Sequence, residues 1–246
     1  MRNAISPLFA TNIFFILYSC GEFTNTFAIV MKQVWTLIKK DFLLDWRQKH
    51  AVWSMVLYAA IMIFVIYLAF LEIESNIWSG IFWIVLLFAA VNAITKSFMG
   101  ESDKRQLYYY SLHTPTTLLL SKLTYNMLTM LFLSVVCAAL FFLLFTNTIR
   151  NLPLFYLTLF LGAFSFASCL TMVSAITSRA KGNATLMAIL SFPVIIPIML
   201  LLILLTTAAY EGKTFLDVSE NLLILTAIDL IQLAITFLLF PYLWRD

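Results

Sequence analysis

Six long runs without charged side chains, broken by one carboxylate, decide what this chain of 246 residues can fold into. The runs are residues 51–71, 77–95, 123–149, 152–178, 183–210 and 221–243. A helix needs about 20 mostly apolar residues to cross a bilayer, whereas a strand of a membrane barrel alternates apolar and polar side chains over about ten. Because the apolar runs are continuous, they predict an all-α polytopic membrane protein with six transmembrane helices.

The composition excludes several other classes of protein. Hydrophobic residues make up 63% of the chain and charged residues only 11%, against about 25% charged residues in an ordinary soluble domain. A soluble enzyme, a disordered chain and a nucleic-acid-binding protein are therefore excluded, because a chain this apolar is suited to lipid rather than to water. The three cysteines show no CxxC spacing, so no disulfide, metal site or haem attachment is expected.

The positions of lysine and arginine predict how the helices are oriented. Twelve of the 15 basic residues lie between residue 31 and the first run, in the even-numbered connections or after the sixth run. These are Lys32, Lys39, Lys40, Arg47, Lys49, Lys96, Lys104, Arg105, Lys122, Arg179, Lys181 and Arg245. The connections on the other side contain Arg150 and Lys213. Since cytoplasmic loops carry the excess of basic residues, both ends of the six-helix unit are predicted to be cytoplasmic.

The first thirty residues do not fit this plan. Residues 17–20 loosely resemble a lipoprotein cleavage site, but cleavage there would leave the basic stretch 32–49 outside the cell. A seventh span would have to include Glu22. We predict instead that Met31 is the initiator and that residues 1–30 are a non-native extension or a targeting segment, followed by one six-helix domain over residues 31–246.

Residues 32–49 are predicted to form an amphipathic helix at the membrane surface. Trp35, Ile38, Phe42 and Trp46 follow one another at spacings of three and four, which places them on one helix face. The surrounding basic side chains can reach lipid phosphates, and tryptophan favours the interface. The stripe therefore predicts an interfacial elbow helix before the first span, with an ordinary basic flank as the alternative.

The longest polar connection, residues 96–122, contains an apolar cluster that includes Leu107, Tyr108 and Leu112. Such a patch in a loop is typical of a docking surface, and the alternative is an aromatic belt at the level of the lipid headgroups. Thr114 and Pro115 predict a helix start, with threonine as the cap and proline at the first helical position. A short helix is therefore expected to run from Pro115 into the third span.

Groups capable of chemistry are scarce in the spans. No P-loop, HExxH or GxSxG motif occurs, so no catalytic residue and no metal site are predicted, and another chain must hydrolyse any ATP. Asp229 is the ionisable residue inside a span, which makes it a functional candidate, although an interhelical hydrogen bond explains it equally well. Pro193 and Pro197 predict a kink in the fifth span, as a hinge, a re-entrant corner or a static bend.

Two segments in their order along six spans resemble one family. The matching residues are Phe98, Glu101, Asp103, Leu107, Leu112, His113, Thr114, Pro115, Leu119 and Lys122, and then Ser178, Arg179, Gly182, Leu186, Phe192, Pro193, Ile196 and Pro197. With the elbow helix, the chain resembles permeases of the ABC-2 type, and among them the haem exporter protein B family, CcmB, of cytochrome c maturation. The resemblance covers about residues 32–246, and the tyrosines at 108–110 depart from the family pattern.

This resemblance implies a permease subunit of an ATP-driven complex in the bacterial inner membrane. A separate ABC ATPase would bind the ATP and dock on residues 101–122. The coupling residues would be Glu101, Asp103, Leu107, Tyr108, Leu112, Thr114, Pro115 and Lys122. Arg179, Lys181 and Gly182 would form a smaller second contact. Other haem-handling membrane subunits, membrane lipid and, indirectly, a periplasmic haem chaperone would be partners, with haem a possible substrate rather than a cofactor of this chain.

Two other functions fit the same pattern. An ABC-2 exporter of a drug, lipid or glycan would have the same elbow and coupling segment, and a non-transport assembly subunit would have the same spans without an ATPase. The route of haem stays open, although no cationic side chain within the spans is available to meet its two propionates, which are costly to bury uncompensated.

Overall fold

The computed structural model describes residues 31–44, 49–70, 74–99, 114–145, 149–179 and 184–245, and all structural statements below concern these residues. This part of the chain is entirely helical, which confirms the all-α prediction. The helices are α1 (31–44), α2 (Lys49–Ala69), α3 (Ser75–Met99), α4 (Pro115–Leu144), α5 (Leu152–Arg179), α6 (Ala184–Glu211) and α7 (Ser219–Arg245). The segment 1–30 lies outside the described residues.

Each predicted span coincides with one helix, and the third shows the largest difference in its bounds. Five helices, α3 to α7, are long and apolar enough to cross a membrane, whereas the apolar part of α2, Trp53–Ala69, is shorter. The third run begins after Lys122, whereas α4 begins at Pro115, which confirms the prediction that a helix starts there and runs into the third span. The Lys122 side chain is buried within this helix. That α2 forms a sixth membrane span remains a prediction, as does the orientation of the chain ends.

Helix α5 lies at the centre of the bundle. Its most apolar stretch is 72% buried, against 22% for α7, and it contacts α3, α4, α6 and α7. The helix is rich in small residues, including Gly162, Ala163, Ala167 and Ala175. Small side chains let neighbouring backbones approach closely, which is the main way that helices gain packing energy in lipid. The composition of α5 therefore explains its central position.

The closest packing in this core joins α3, α5 and α6 around the indole of Trp83. A Cβ atom on Gly162 of α5 would lie 2.3 Å from Cη2 of Trp83, so only a glycine leaves room for the ring. The Trp83 Nε1–H donates to the hydroxyl of Thr206 on α6 at 2.8 Å. The ring is fully buried and cannot move away without losing this hydrogen bond.

An aromatic cluster gathers one end of the helices. Trp78 near the start of α3 stacks on Phe82 at 5.6 Å and meets Phe141 of α4 edge to face at 5.5 Å. Phe155 at the start of α5 and Tyr210 at the end of α6 also contact the Trp78 ring. Starts and ends alternate in this cluster, as they must in helices that cross a layer up and down, and the rings fill the space by packing on one another.

Helix α6 runs without interruption through both of its prolines. Pro193 and Pro197 lie inside the helix Ala184–Glu211, and both are exposed on its outer face. A re-entrant corner, one of the predicted alternatives, is therefore not formed in this helix. The kink itself remains a prediction.

The connection between α6 and α7 is held by its own hydrogen bonds. Gly212 has a φ of +85°, and the amides of Gly212 and Lys213 donate to the carbonyls of Ala209 and Ala208. This is the Schellman arrangement, which ends a helix with a left-handed residue that favours glycine. Further along, the Asp217 carboxylate accepts from the hydroxyl and amide of Thr214 at 2.7 and 2.9 Å, which lowers the pKa of Asp217.

We expect Gly162→Ala to lower the free energy of unfolding by about 1–3 kcal/mol, because the new methyl group overpacks the Trp83 ring. Thermal unfolding of the purified protein in detergent measures the change. Gly80→Ala is the matched control, since Gly80 also lies within a transmembrane helix and has no atom within 4 Å of an added Cβ. Equal melting temperatures for the two variants would show that the Trp83–Gly162 contact does not limit packing.

Candidate functional site

The inner face of helix α1 docks on the bundle. Val34, Leu37, Ile38 and Asp41 are all buried, and they follow one another at spacings of three, one and three residues along the helix. Three of them are apolar, whereas the fourth is a carboxylate at a position where burial without a partner would be costly. The partner of Asp41 therefore decides how α1 is held.

An ion pair between Asp41 and Lys122 connects α1 to α4. The Lys122 Nζ lies 3.2 Å from Oδ2 of Asp41, and the two side chains are only 6% and 7% exposed. The other oxygen, Oδ1, lies 3.0 Å from Nζ of the more exposed Lys40. Two ammonium groups thus share one carboxylate. Removing one partner of such a buried pair is far more damaging than replacing both.

The first turns of α4 are also buried in the bundle. The backbone of Thr114 is extended and Pro115 is the first helical residue, as predicted from the sequence. The Thr114 hydroxyl, however, lies 2.7 Å from that of Thr117 and makes no cap to a backbone amide. Leu118 and Leu119 form a small buried cluster with Ala175 of α5 and Phe240 of α7.

These contacts join the start of α4 to three other helices. The helix is continuous over 30 residues from Pro115, or about 45 Å. The turns after Pro115 contact α1 through the ion pair and contact α5 and α7 through the leucines.

A second polar site lies between α5 and α7 inside the bundle. The Ser165 hydroxyl lies 2.6 Å from Oδ1 of Asp229, which is 3% exposed. One turn along, the Ser168 hydroxyl donates to Oε1 of Gln232 at 3.0 Å. Within the described part of the chain, Oδ2 of Asp229 and Nε2 of Gln232 have no hydrogen-bond partner. Asp229 is therefore joined to another span, as the interhelical interpretation of the sequence predicted.

The same helix α5 contacts α4 through another hydrogen bond. The Asn126 amide donates to the hydroxyl of Thr171 at 2.8 Å, and both side chains are fully buried. The sequence reasoning missed Asn126, Ser165, Ser168, Thr171 and Gln232. A regular series of hydroxyl residues at every third position of α5, from Ser165 to Thr177, was the pattern that could have found Ser165, Ser168 and Thr171.

The comparison with protein families bears on all of these sites. Residues 32–242 match the family described as CcmB protein, which is nearly the whole chain. The chain belongs to the CcmB family. This confirms the resemblance predicted from the sequence. Members of the CcmB family are transmembrane ABC transporter permeases of haem export and cytochrome c biogenesis. Neither the curated proteins nor the solved structures contain a match to the chain.

Most residues that the resemblance assigned to ATPase coupling in this CcmB-family chain lie outside the described part. These are Glu101, Asp103, Leu107, Tyr108 and Leu112, together with Lys181 and Gly182 of the second contact. Arg179 ends α5, and its side chain is not described. Thr114 and Pro115 begin α4, as expected. Lys122 is buried against Asp41, so its place supports an internal link rather than a charge offered to a partner.

The predicted elbow stripe does not form the docking face of α1. Ile38 is buried, but Trp35 and Phe42 are 68% and 57% exposed, and Trp46 lies outside the described residues. Trp35 and Phe42 are thus turned outward, where a CcmB-family chain meets lipid. The helix has two apolar faces, and the sequence stripe identified the outer one. The sequence analysis did not identify Asp41, which follows Val34 and Leu37 at helical spacing on the buried face.

We expect Lys122→Met to lower the free energy of unfolding by roughly 3 kcal/mol, because Asp41 then keeps a buried charge with one partner fewer. The exchanged pair Asp41→Lys with Lys122→Asp should recover a large part of this loss. Thermal unfolding in detergent and protease cleavage of α1 measure both effects. Lys32→Met, at an exposed position of α1, is the control. An exchanged pair as unstable as Lys122→Met would contradict the ion pair.

We expect Asp229→Asn to leave stability nearly unchanged, since asparagine keeps an oxygen that can accept from Ser165. Asp229→Leu removes this acceptor and should lower the free energy of unfolding by about 0.6–1.7 kcal/mol, the range of hydrogen bonds between membrane helices. Thermal unfolding in detergent again gives the comparison. Thr226→Val, which loses only a bond to the carbonyl of Leu223 in its own helix, is the control. Equal losses for Asn and Leu would show that the carboxylate charge matters.

Proposed function

We propose that this chain is the membrane permease subunit of an ATP-driven complex for cytochrome c maturation in the bacterial inner membrane. The observation that carries the proposal is the match of residues 32–242 to the CcmB protein family. The contacts of α1 and α4 fit it, because a permease driven by a separate ATPase needs a rigid element that joins the cytoplasmic surface to the spans.

In this proposal six helices, α2 to α7, span the membrane and both ends of the unit are cytoplasmic. Helix α2 has 21 residues, or about 32 Å, which is enough to cross a hydrocarbon core of about 30 Å. Two clusters at opposite helix ends support the alternation of the six helices: Trp78, Phe141 and Phe155 at one, and Leu118, Ala175 and Phe240 at the other. The second cluster belongs to the basic side, which the charge bias assigns to the cytoplasm.

The ATPase subunit is proposed to dock on residues 101–122. Leu107, Tyr108 and Leu112 would supply apolar contacts, and Glu101 and Asp103 would supply charged ones. Movement of the ATPase would act on Thr114 and Pro115, from which α4 carries it to the Asp41–Lys122 pair and to the leucine cluster. The segment with Arg179, Lys181 and Gly182 would form the smaller second contact, since it follows α5, which packs on the same cluster through Ala175.

The proposed role of this subunit is to support delivery of haem to, or release of haem from, a periplasmic chaperone with other haem-handling membrane subunits. The interior of the bundle is poorly suited to conduct haem. The buried cation of the described chain, Lys122, already pairs with Asp41, and the other buried ionisable group, Asp229, carries the same sign as the haem propionates. Moving those propionates past Asp229 without a cation would be costly.

Deletion of the gene tests this proposal. We expect covalently bound haem on c-type cytochromes to disappear in the deletion strain, measured by haem staining of membrane proteins after electrophoresis. The wild-type gene should restore the stain. A variant with Leu107, Tyr108 and Leu112 all replaced by aspartate should be inserted normally but should not restore it, and it should fail to retain the ATPase in a pull-down.

The outcomes separate the proposed function from its alternatives. Normal haem staining in the deletion strain would refute a role in cytochrome c maturation and would favour an ABC-2 exporter of a drug, lipid or glycan. Loss of staining with no ATPase recovered with the wild-type chain would favour a non-transport assembly subunit. ATPase binding by the triple variant at the wild-type level would show that the docking surface is elsewhere.

A further inference from the structure

An apolar groove lies where α1 crosses the bundle. It has a volume of about 510 Å³, within the range of small-molecule sites, and opens on the outer surface between α1, α2 and α4. Its lining from α4 begins at Tyr125 and ends at Leu133, a length of about 12 Å along the helix axis. The α1 side chains Trp35 and Phe42 wall the groove, which is thus a deep, elongated recess on the lipid-facing surface.

The groove has one basic side chain on its lining. Lys39 lies among its residues and is exposed, and no carboxylate of the described chain forms an ion pair with it. The recess therefore combines an apolar interior with a basic side chain at its rim, the pattern that fits an amphiphile with an anionic head.

We propose that this groove binds an anionic phospholipid, with an acyl chain along α4 and the phosphate beside Lys39. The apolar lining suits hydrocarbon, and the basic rim suits a phosphate. The exposed indole of Trp35 suits the interface between hydrocarbon and headgroups, where a helix on the membrane surface is expected to lie. A phospholipid meets both requirements at once, whereas a second copy of the chain would have to bring an acidic group to Lys39.

The bound lipid has a structural consequence. It fills the space between α1 and α4 on the outer side, while the Asp41–Lys122 pair joins the same two helices on the inner side. The position of α1 on the bundle then depends on the headgroup composition of the membrane. Neither step requires the proposed function, so the site can be tested apart from cytochrome c maturation.

The test uses the full chain in nanodiscs of phosphatidylcholine that contain a small fraction of photoreactive phosphatidylglycerol. Illumination followed by peptide mass spectrometry identifies the labelled segments. Leu128→Trp fills the groove from α4, and Leu143→Trp places the same side chain at an exposed position of α4 that is not part of the groove lining. Lys39→Gln removes the rim charge, and Lys32→Gln does so at an exposed position of α1 outside the groove.

We expect labelling of the α1 and α4 peptides in the wild type, competed by phosphatidylglycerol more strongly than by phosphatidylcholine. Leu128→Trp should reduce the labelling to background, and Lys39→Gln should weaken binding about fivefold, the value of one basic residue near an anionic membrane surface. Both controls should label as the wild type does. Equal labelling of the two tryptophan variants would overturn the proposal, as would equal competition by the two lipids.

A protein occupant gives a different result. Leu128→Cys tests for a second copy of the chain in the groove. Disulfide crosslinks between two copies of this variant, together with no uptake of photoreactive lipid by the wild type, would show that a second copy covers the groove and that the proposal is wrong. Because Leu128 is half exposed, its substitution leaves the core intact, and the melting temperature of each variant verifies that it is folded. The comparison of Lys39→Gln with Lys32→Gln gives an independent result, because neither substitution changes the packing of the groove.

Discussion

The need to satisfy polar groups without water governs this bundle. A bilayer offers no hydrogen bonds to a helix, so polar side chains must find partners within the protein. In α5 the hydroxyls of Thr158 and Thr177 donate to the carbonyls of Leu154 and Val173, one turn back in their own helix. The helix can therefore carry many polar residues and still occupy the most buried position in the fold. Their small size then lets Trp83 of α3 reach the backbone of α5 at Gly162.

Helix α1 obeys the same rule at the edge of the bundle. Its carboxylate Asp41 is buried because Lys122 and Lys40 compensate the charge, and this pair fixes α1 to the first turns of α4. The elbow helix, the start of α4 and the apolar groove meet there. A junction made of one ion pair and a few apolar contacts is suited to change with the state of an attached ATPase, because its parts are few and lie on different helices.

The sequence predicted much of the fold and less of the candidate site. The bounds of five of the six runs agree with the helices to within a few residues, because a charge-free stretch of bilayer length has few alternatives to a helix. The third run starts after Lys122 because a charge-free run must stop at a lysine, but Thr114 and Pro115 predicted a helix that runs from Pro115 into this span, and α4 begins there. In the folded chain Asp41 on another helix pairs with Lys122, so the lysine can be buried within α4.

Pairing between helices is the part that no pattern along the chain contains. Apolar length determined the number and the order of the helices, basic residues determined the predicted orientation, and Thr114 with Pro115 determined where α4 starts. Only the tertiary structure decided that Ser165 meets Asp229, that Asn126 meets Thr171 and that Asp41 meets Lys122. The physical reason is that helix formation depends on residues a few positions apart, whereas the cost of burying a charge depends on which helix lies opposite.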